Sequence, residues 1–278
     1  MRVVHSAVDL READGVTRAV VMTMGALHDG HAELVREARR LVGPSGSVVV
    51  TDFVNPTQFG AGEDFDRYPR TLDRDVAICE AAGADIVFTP EVTEVYGNDS
   101  GFRPDSITID PGPLGDILEG ATRAGHFRGT LTVVAKLMGL TRPDLALFGE
   151  KDYQQLILIS HMVADLSLPV RVVGVPTVRE ADGLAMSSRN RFLTPDEREI
   201  ASCIPAAVTA AAAAAPLGVA AAIAAGQGML NSSLALDYLV VTGADLGAAL
   251  PGPGRVLIAA QVGSTRLIDN VPCTVGAS

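Results

Sequence analysis

Apolar positions in the first two thirds of the chain follow two alternating rhythms. Short, apolar, β-branched runs at residues 20–24, 47–53, 86–88, 145–148 and 170–175 read as strands covered on both faces. Residues 32–41, 72–82, 129–140 and 153–166 read as helices. Strands and helices alternating in this way predict a parallel sheet with right-handed crossovers. In such sheets ligands gather at the carboxyl ends of the strands.

The rhythm changes near Thr177. The chain becomes alanine-rich and helical, then strand-like at 236–241, 255–261 and 265–268. Thr194, Pro195 and Glu197 form a helix start, with a hydroxyl cap, proline in the first turn and Glu three residues after the cap. A larger domain over 1–176 and a smaller α+β domain over 177–278 are therefore expected. The alanine tract 206–225 is interrupted by Thr209, Pro216 and Gly218. It predicts two packed helices separated at Pro216 rather than a membrane span.

Composition narrows the partners. The chain has 278 residues, 47% of them hydrophobic, which is enough to build cores. A formal net charge of -11 argues against nucleic acid, whose backbone demands a basic face. In an acidic protein each cation near a glycine-containing loop gains interest. Cys79, Cys203 and Cys273 lie far apart with no metal-binding spacing, which fits a reduced, cytoplasmic setting. Residues 1–10 hold no long apolar stretch of the secretory kind.

The chemistry concentrates where strands meet helices. Residues 23–31, Thr-Met-Gly-Ala-Leu-His-Asp-Gly-His, join the first apolar run to a helix. A strand turning through glycine into a helix start is an anion site, because the first helical amides lack internal partners and carry partial positive charge. His28 and His31 can add donors for phosphate oxygens. The pair also fits half of a zinc site or a satisfied loop.

Four further segments add polar groups. Asn55 and Gln58 sit on a loop stiffened by Pro56, where Asn55 fits a turn-satisfying role equally well. Asp73 and Asp75 open a helix, where carboxylates suit the dipole; Asp75 could alternatively lie near a phosphate-borne magnesium. Residues 148–155, Phe-Gly-Glu-Lys-Asp-Tyr-Gln-Gln, end a strand and start a helix: Gly149 permits close approach, Lys151 supplies a point charge, Asp152 can cap or hold a ribose hydroxyl, and Gln155 follows about one turn later. Met186, Ser187, Ser188 and Arg189 place hydroxyls and a guanidinium in one loop, as phosphate requires, although solvated loops share that composition. Arg123, His126 and Arg128 add charge to another loop.

These segments together resemble the pantothenate synthetase (pantoate–β-alanine ligase) family. The resemblance rests on 23–31, Phe-Val-Asn-Pro-Thr-Gln-Phe at 53–59, Arg-Tyr-Pro-Arg-Thr at 67–71, Gly-His-Phe-Arg-Gly at 125–129, 148–155, Met-Ser-Ser-Arg-Asn at 186–190 and Thr-Arg-Leu-Ile-Asp-Asn at 265–270. It implies a Rossmann-like doubly wound sheet whose C-terminal domain closes over the active site. It also implies ligation of pantoate with β-alanine to pantothenate, AMP and pyrophosphate through a pantoyl adenylate, by a cytoplasmic homodimer that uses ATP and Mg2+. By resemblance, ATP is held by Met24, Gly25, Ala26, Leu27, His28, Asp29, Gly30, His31, Gly149, Glu150, Lys151, Asp152, Val178, Met186, Ser187, Ser188 and Arg189. His28, His31, Lys151 and Arg189 are expected to act on the phosphates. Gln58 and Gln155, with Asn55 and Arg123, are expected around the organic substrates, and Asp75 near the metal. Met22 stands where the family usually has proline, so nucleotide affinity is expected to differ slightly. The competing expectation is another adenylyltransferase of the same superfamily.

Overall fold

The computed structural model describes residues 1–10, 15–60, 65–103, 106–277. Spatial grouping separates two units, Met1–Gly149 with Leu158–Val175, and Glu150–Ile157 with Pro176–Ser278. Lys151 and Gln155 thus lie in the second unit, although they precede the expected start of the second domain.

The first unit is built on a six-stranded parallel sheet. Its strands are β1 (Arg2–Val4), β2 (Arg18–Thr23), β3 (Ser47–Asp52), β4 (Ile86–Phe88), β5 (Leu145–Gly149) and β6 (Arg171–Val175), in spatial order β1-β4-β3-β2-β5-β6. The expected strands are all present. Missed from sequence was β1, a three-residue edge strand that is largely exposed and carries little periodic signal. The central strands are fully buried at Val20, Val21, Val48, Val49 and Val50, which explains their continuous apolar runs. Between β2 and β5 the winding reverses, so the Thr23 and Gly149 ends flank the topological switch point.

Helices α1 (Asp29–Val42), α2 (Leu72–Ala82), α3 (Val92–Tyr96), α4 (Glu119–Thr122), α5 (His126–Thr141) and α6 (Tyr153–Asp165) follow. Helix α2 has the predicted bounds. The short α3 and α4 were not expected, being too brief to show a helical period.

In the second unit, α7 (Pro195–Ala201), α8 (Cys203–Ala214) and α9 (Val219–Gln227) belong with an antiparallel sheet of β7 (Ala235–Gly243), β8 (Gly252–Val262) and β9 (Thr265–Val275). The capping box forms as predicted: Thr194 accepts the Glu197 amide, and Glu197 accepts that of Thr194. Pro216 lies in the 3₁₀ turn between α8 and α9. Residues Pro195–Leu217 are long and apolar enough to cross a membrane by composition. In the fold, however, Ile204, Ala207, Val208 and Ala211 are buried in the same cluster as Val256, Ile258 and Ala260 of β8. A small-residue helix face lying on a sheet accounts for the alanine content. Strand β9 runs well past the expected 265–268, because the polar Asp269 and Asn270 that break its apolar pattern are buried with partners.

Candidate active site

In the first unit, β2 leaves the sheet through Met24, Gly25, Ala26 and Leu27, and α1 begins behind His28. The turn is held from below by a carboxylate. Asp75, fully buried on α2, accepts the amides of Ala26 at 2.9 Å and Leu27 at 2.8 Å and the hydroxyl of Thr71 at 3.1 Å. This explains how Ala26 sustains a φ of 53°, a conformation that otherwise costs a residue with a Cβ. Gly25, at φ 78°, has a second reason to be glycine, since an added Cβ would lie 2.5 Å from Asp52 Oδ1.

These contacts revise the expected part of Asp75. Its oxygens are spent on two amides and a hydroxyl inside the protein, a setting that makes it a support for the turn and a poor magnesium ligand. Among the described residues no cluster of three His, Cys, Asp or Glu side chains is arranged to hold a metal ion. Asp52, at the end of β3, lies beside Asp75. Burial, followed by the neighbouring Asp75 charge, pushes the Asp52 carboxyl up to about 6. The same environment drives the buried Cys79 thiol up to about 12 and leaves it inert.

The two histidines close the start of α1 on each other. His28 Nδ1 accepts the Gly30 amide at 3.1 Å, and His31 Nδ1 accepts the His28 amide at 3.3 Å. Their ring centroids are 4.1 Å apart. Because both Nδ1 atoms act as acceptors, each neutral ring carries its proton on Nε2. The arrangement modifies the sequence expectation of an amide-built anion site. The amides of Ala26, Leu27, His28 and Gly30 are engaged by side chains, so anion recognition at this turn shifts toward the imidazole Nε2–H groups.

Gln58 is brought beside this turn. Its Nε2 donates to the Met24 sulfur at 2.9 Å, and its Oε1 accepts Asn55 Nδ2 at 3.0 Å. Asn55 is 1% exposed, and its Oδ1 accepts the Tyr96 hydroxyl at 2.7 Å and the Thr57 hydroxyl at 3.0 Å. Its surroundings orient Gln58 instead of presenting Asn55 to a ligand. Arg123 donates to His126 Nε2 at 2.9 Å, and His126 Nδ1 in turn meets the Gln58 carbonyl at 2.9 Å. Gly129 lets α5 approach this loop, since a Cβ there would sit 2.2 Å from the Thr57 carbonyl oxygen.

In the second unit, Glu150, Lys151 and Asp152 form a 3₁₀ turn leading into α6. Lys151 Nζ lies 3.7 Å from Asp152 Oδ1, a loose pair that leaves the ammonium electrostatically available. Gln155 follows on α6 and is partly exposed, whereas Gln154 is buried. Val178 and Met186 face each other across a hairpin, with the Met186 amide donating to the Val178 carbonyl at 2.9 Å. Ser187 then caps the turn Ser188–Phe192, its hydroxyl accepting the Arg189 amide at 3.3 Å.

Sequence reasoning quoted Thr71 and Asp269 within motifs without giving them a task, and missed the other supports: Asp52 and Tyr96 in the first unit, and Arg179 and Arg255 in the second. The available signal was polarity at positions that the apolar pattern assigns to the interior.

The pantoate-β-alanine ligase family profile matches residues 2–272. A pantothenate synthetase of a Nocardioides species is 55% identical over 95% of this chain and 81% of its own length. One from Salinispora arenicola is 54% identical over 96% of both chains. Among solved structures, a pantothenate synthetase of Thermus thermophilus superposes with a TM-score of 0.87 at 44% identity, covering 98% of this chain and 99% of that one. The pantoate-β-alanine ligase of Francisella tularensis, solved with Beta-gamma ATP and β-alanine, gives 0.79 at 31% identity, covering 98% and 97%.

Proposed function

The chain belongs to the pantoate–β-alanine ligase family, and from that membership we propose that it condenses pantoate with β-alanine at the expense of ATP, giving pantothenate, AMP and pyrophosphate. The observation that carries the reading is the histidine pair at the end of β2, whose capping bonds leave each neutral ring's proton on Nε2.

The pantoate carboxylate is ionised at neutral pH and needs no general base to attack the α-phosphorus. It needs placement, and neutralisation of the charge on the transferring phosphoryl group. His28 and His31 supply N–H donors, and Lys151 and Arg189 supply cations. Ser187 and Ser188 contribute hydroxyls, and residues Met24 to His31, Gly149 to Asp152, Val178 and Met186 line the nucleotide site. Gln58 and Gln155 hold pantoate; Asn55 and Arg123 act by fixing Gln58, Arg123 through His126. Attack forms the mixed anhydride pantoyl adenylate and expels pyrophosphate. The neutral β-alanine amine then attacks the acyl carbon; the C–O bond to AMP breaks, and the nitrogen gives up one proton as the amide forms and AMP departs.

A magnesium ion, where bound, would be held on the ATP phosphates and would offset their charge; Asp75, spent on the turn, is not among the residues proposed to hold it. We also propose a cytoplasmic homodimer, as the family resemblance implies; light scattering tests the assembly. The decisive experiment for the chemistry is ATP–pyrophosphate isotope exchange. Exchange that requires pantoate, and that neither phosphopantetheine nor nicotinate mononucleotide replaces, is expected. Exchange that ignores pantoate sinks the reading in favour of another adenylyltransferase.

A further inference from the structure

Thr-Arg-Leu-Ile-Asp-Asn at 265–270 has no task in the scheme above. Two of its residues are polar, adjacent and almost fully buried: Asp269 is 2% exposed and Asn270 3%. A strand interior does not tolerate such groups unless they are fully engaged.

Asn270 uses its whole amide. Its Nδ2 donates to the carbonyl of Glu150 at 2.9 Å and to that of Lys151 at 2.8 Å. Its Oδ1 accepts Arg255 Nε at 2.7 Å. Arg255, buried on β8, also pairs with the Glu150 carboxylate at 2.8 Å and lies 4.0 Å above the Tyr153 ring centroid. The peptide that carries Lys151 is thus grasped at two successive carbonyls.

Asp269 holds the other loop. It receives Arg179 in a two-pronged bond, at 2.7 and 2.9 Å. Arg179 also donates to the Gly183 carbonyl at 3.0 Å and bridges to Ala185 across the hairpin. From that hairpin, Glu180 Oε1 and the Ala185 carbonyl accept Asn190 Nδ2 at 2.6 and 3.0 Å, which fixes the turn bearing Ser187 to Arg189.

We propose that Asp269 and Asn270 form a positioning clamp, through which one strand, β9, sets the two phosphate-binding loops of the second unit in register. The clamp rests on the proposed ATP role of Lys151 and Arg189 and extends it. Neither clamp residue touches substrate. Each acts by immobilising a loop whose cation must meet developing charge without reorganising.

The test is a double-mutant cycle read by pantoate-dependent ATP–pyrophosphate exchange. Asn270→Asp keeps size and the acceptor for Arg255 but turns both donations into oxygen–oxygen repulsion. It is expected to lower the exchange rate on the order of 10- to 100-fold, the usual cost of losing a supporting contact. In a Lys151→Ala background the same replacement is expected to change the rate by less than about twofold, because the group it positions is gone. A merely structural role predicts the same loss in both backgrounds, and that result overturns the clamp. So does near-normal exchange by Asn270→Asp when Lys151→Ala is impaired. Normal exchange by Lys151→Ala instead overturns the reading of the site itself. Should Asn270→Asp fail to fold, Asn270→Ala serves in the same cycle, judged by the same two outcomes.

Discussion

In the first unit a buried anion gathers N–H groups; in the second, buried donors gather carbonyls. Asp75 draws the Ala26 and Leu27 amides inward beneath the histidine turn. Asn270 draws the Glu150 and Lys151 carbonyls toward β9. The polarity of each support governs what its loop can offer a phosphate. Amides committed to Asp75 are lost to an incoming anion, so the proposed phosphate role in the first unit falls to the imidazoles. Carbonyls committed to Asn270 are turned away from an incoming anion, which removes a source of repulsion beside Lys151. The two loops are thus anchored by opposite hydrogen-bond polarity, with opposite consequences for the groups left to face a ligand.

The most severe way to break this comparison is to remove the cation that the second loop presents. Lys151→Ala is expected to cut pantoate-dependent pyrophosphate exchange on the order of 10²- to 10³-fold, with the melting temperature nearly unchanged. Turnover close to wild type would leave the second loop without a phosphate role. Asp75→Asn strikes the first support. An amide can accept only through its one oxygen, so its NH2 group must face a backbone N–H, and a buried amide loses its partner. A stability loss of about 1–3 kcal/mol is expected, together with a raised KM for ATP. Denaturant titration and initial rates check both; a variant as stable as the parent would show that the turn holds itself.

The two supports also differ in how visible they are in the sequence. The histidine turn and its helix are contiguous, so strand, glycine, cap and ring chemistry can be read from nine neighbouring residues, 23–31. The centre of the parallel sheet was legible for the same reason: β2, β3, β4 and β5 are local runs of mostly buried apolar residues. Asp75 was legible as a helix-start carboxylate, but the two amides it holds lie 48 and 49 residues earlier in the chain. Asn270 reaches residues 119 and 120 positions away. No periodicity encodes such pairings, and the polarity of Asp269 and Asn270 even hid the second half of β9. Local rhythm reports which face an element buries; it says nothing about which distant polar group will neutralise a buried one.

Titration sharpens the picture of the first support. The folded protein keeps a proton on Asp52 up to about pH 6, because burial and the Asp75 charge oppose ionisation. The unfolded chain releases that proton near about 3.9. The stability tied to this proton is therefore complete below about pH 4 and lost as pH rises through about 6. Asn at position 52 can donate to Asp75 and cannot ionise, so Asp52→Asn should flatten that decline. At about pH 7.5 the variant is expected to exceed the parent by about 1–2 kcal/mol, after allowing for screening at this partly exposed carboxyl. Melting temperatures from about pH 4 to 8 decide the matter; parallel curves for parent and variant would mean that Asp52 ionises as freely in the fold as outside it.

The smallest expected effects come from the glutamines, one supplied by each unit. Gln58 is clasped between Asn55 and the Met24 sulfur, and Gln155 is partly exposed on α6. On the proposed reading, truncating Gln155 removes a donor from pantoate and little else. Gln155→Ala should therefore raise the KM for pantoate about 3- to 10-fold, the worth of one net hydrogen bond, at unchanged stability. Truncating Gln58 removes a similar contact but also strips Asn55 Nδ2 of its better acceptor, leaving the Gly129 carbonyl at 3.4 Å. Gln58→Ala should show the same rise in KM together with a melting temperature lower by a few degrees. If Gln155→Ala loses stability instead while its pantoate KM holds, its place is in the packing of α6, and Gln58 alone would bind the acid.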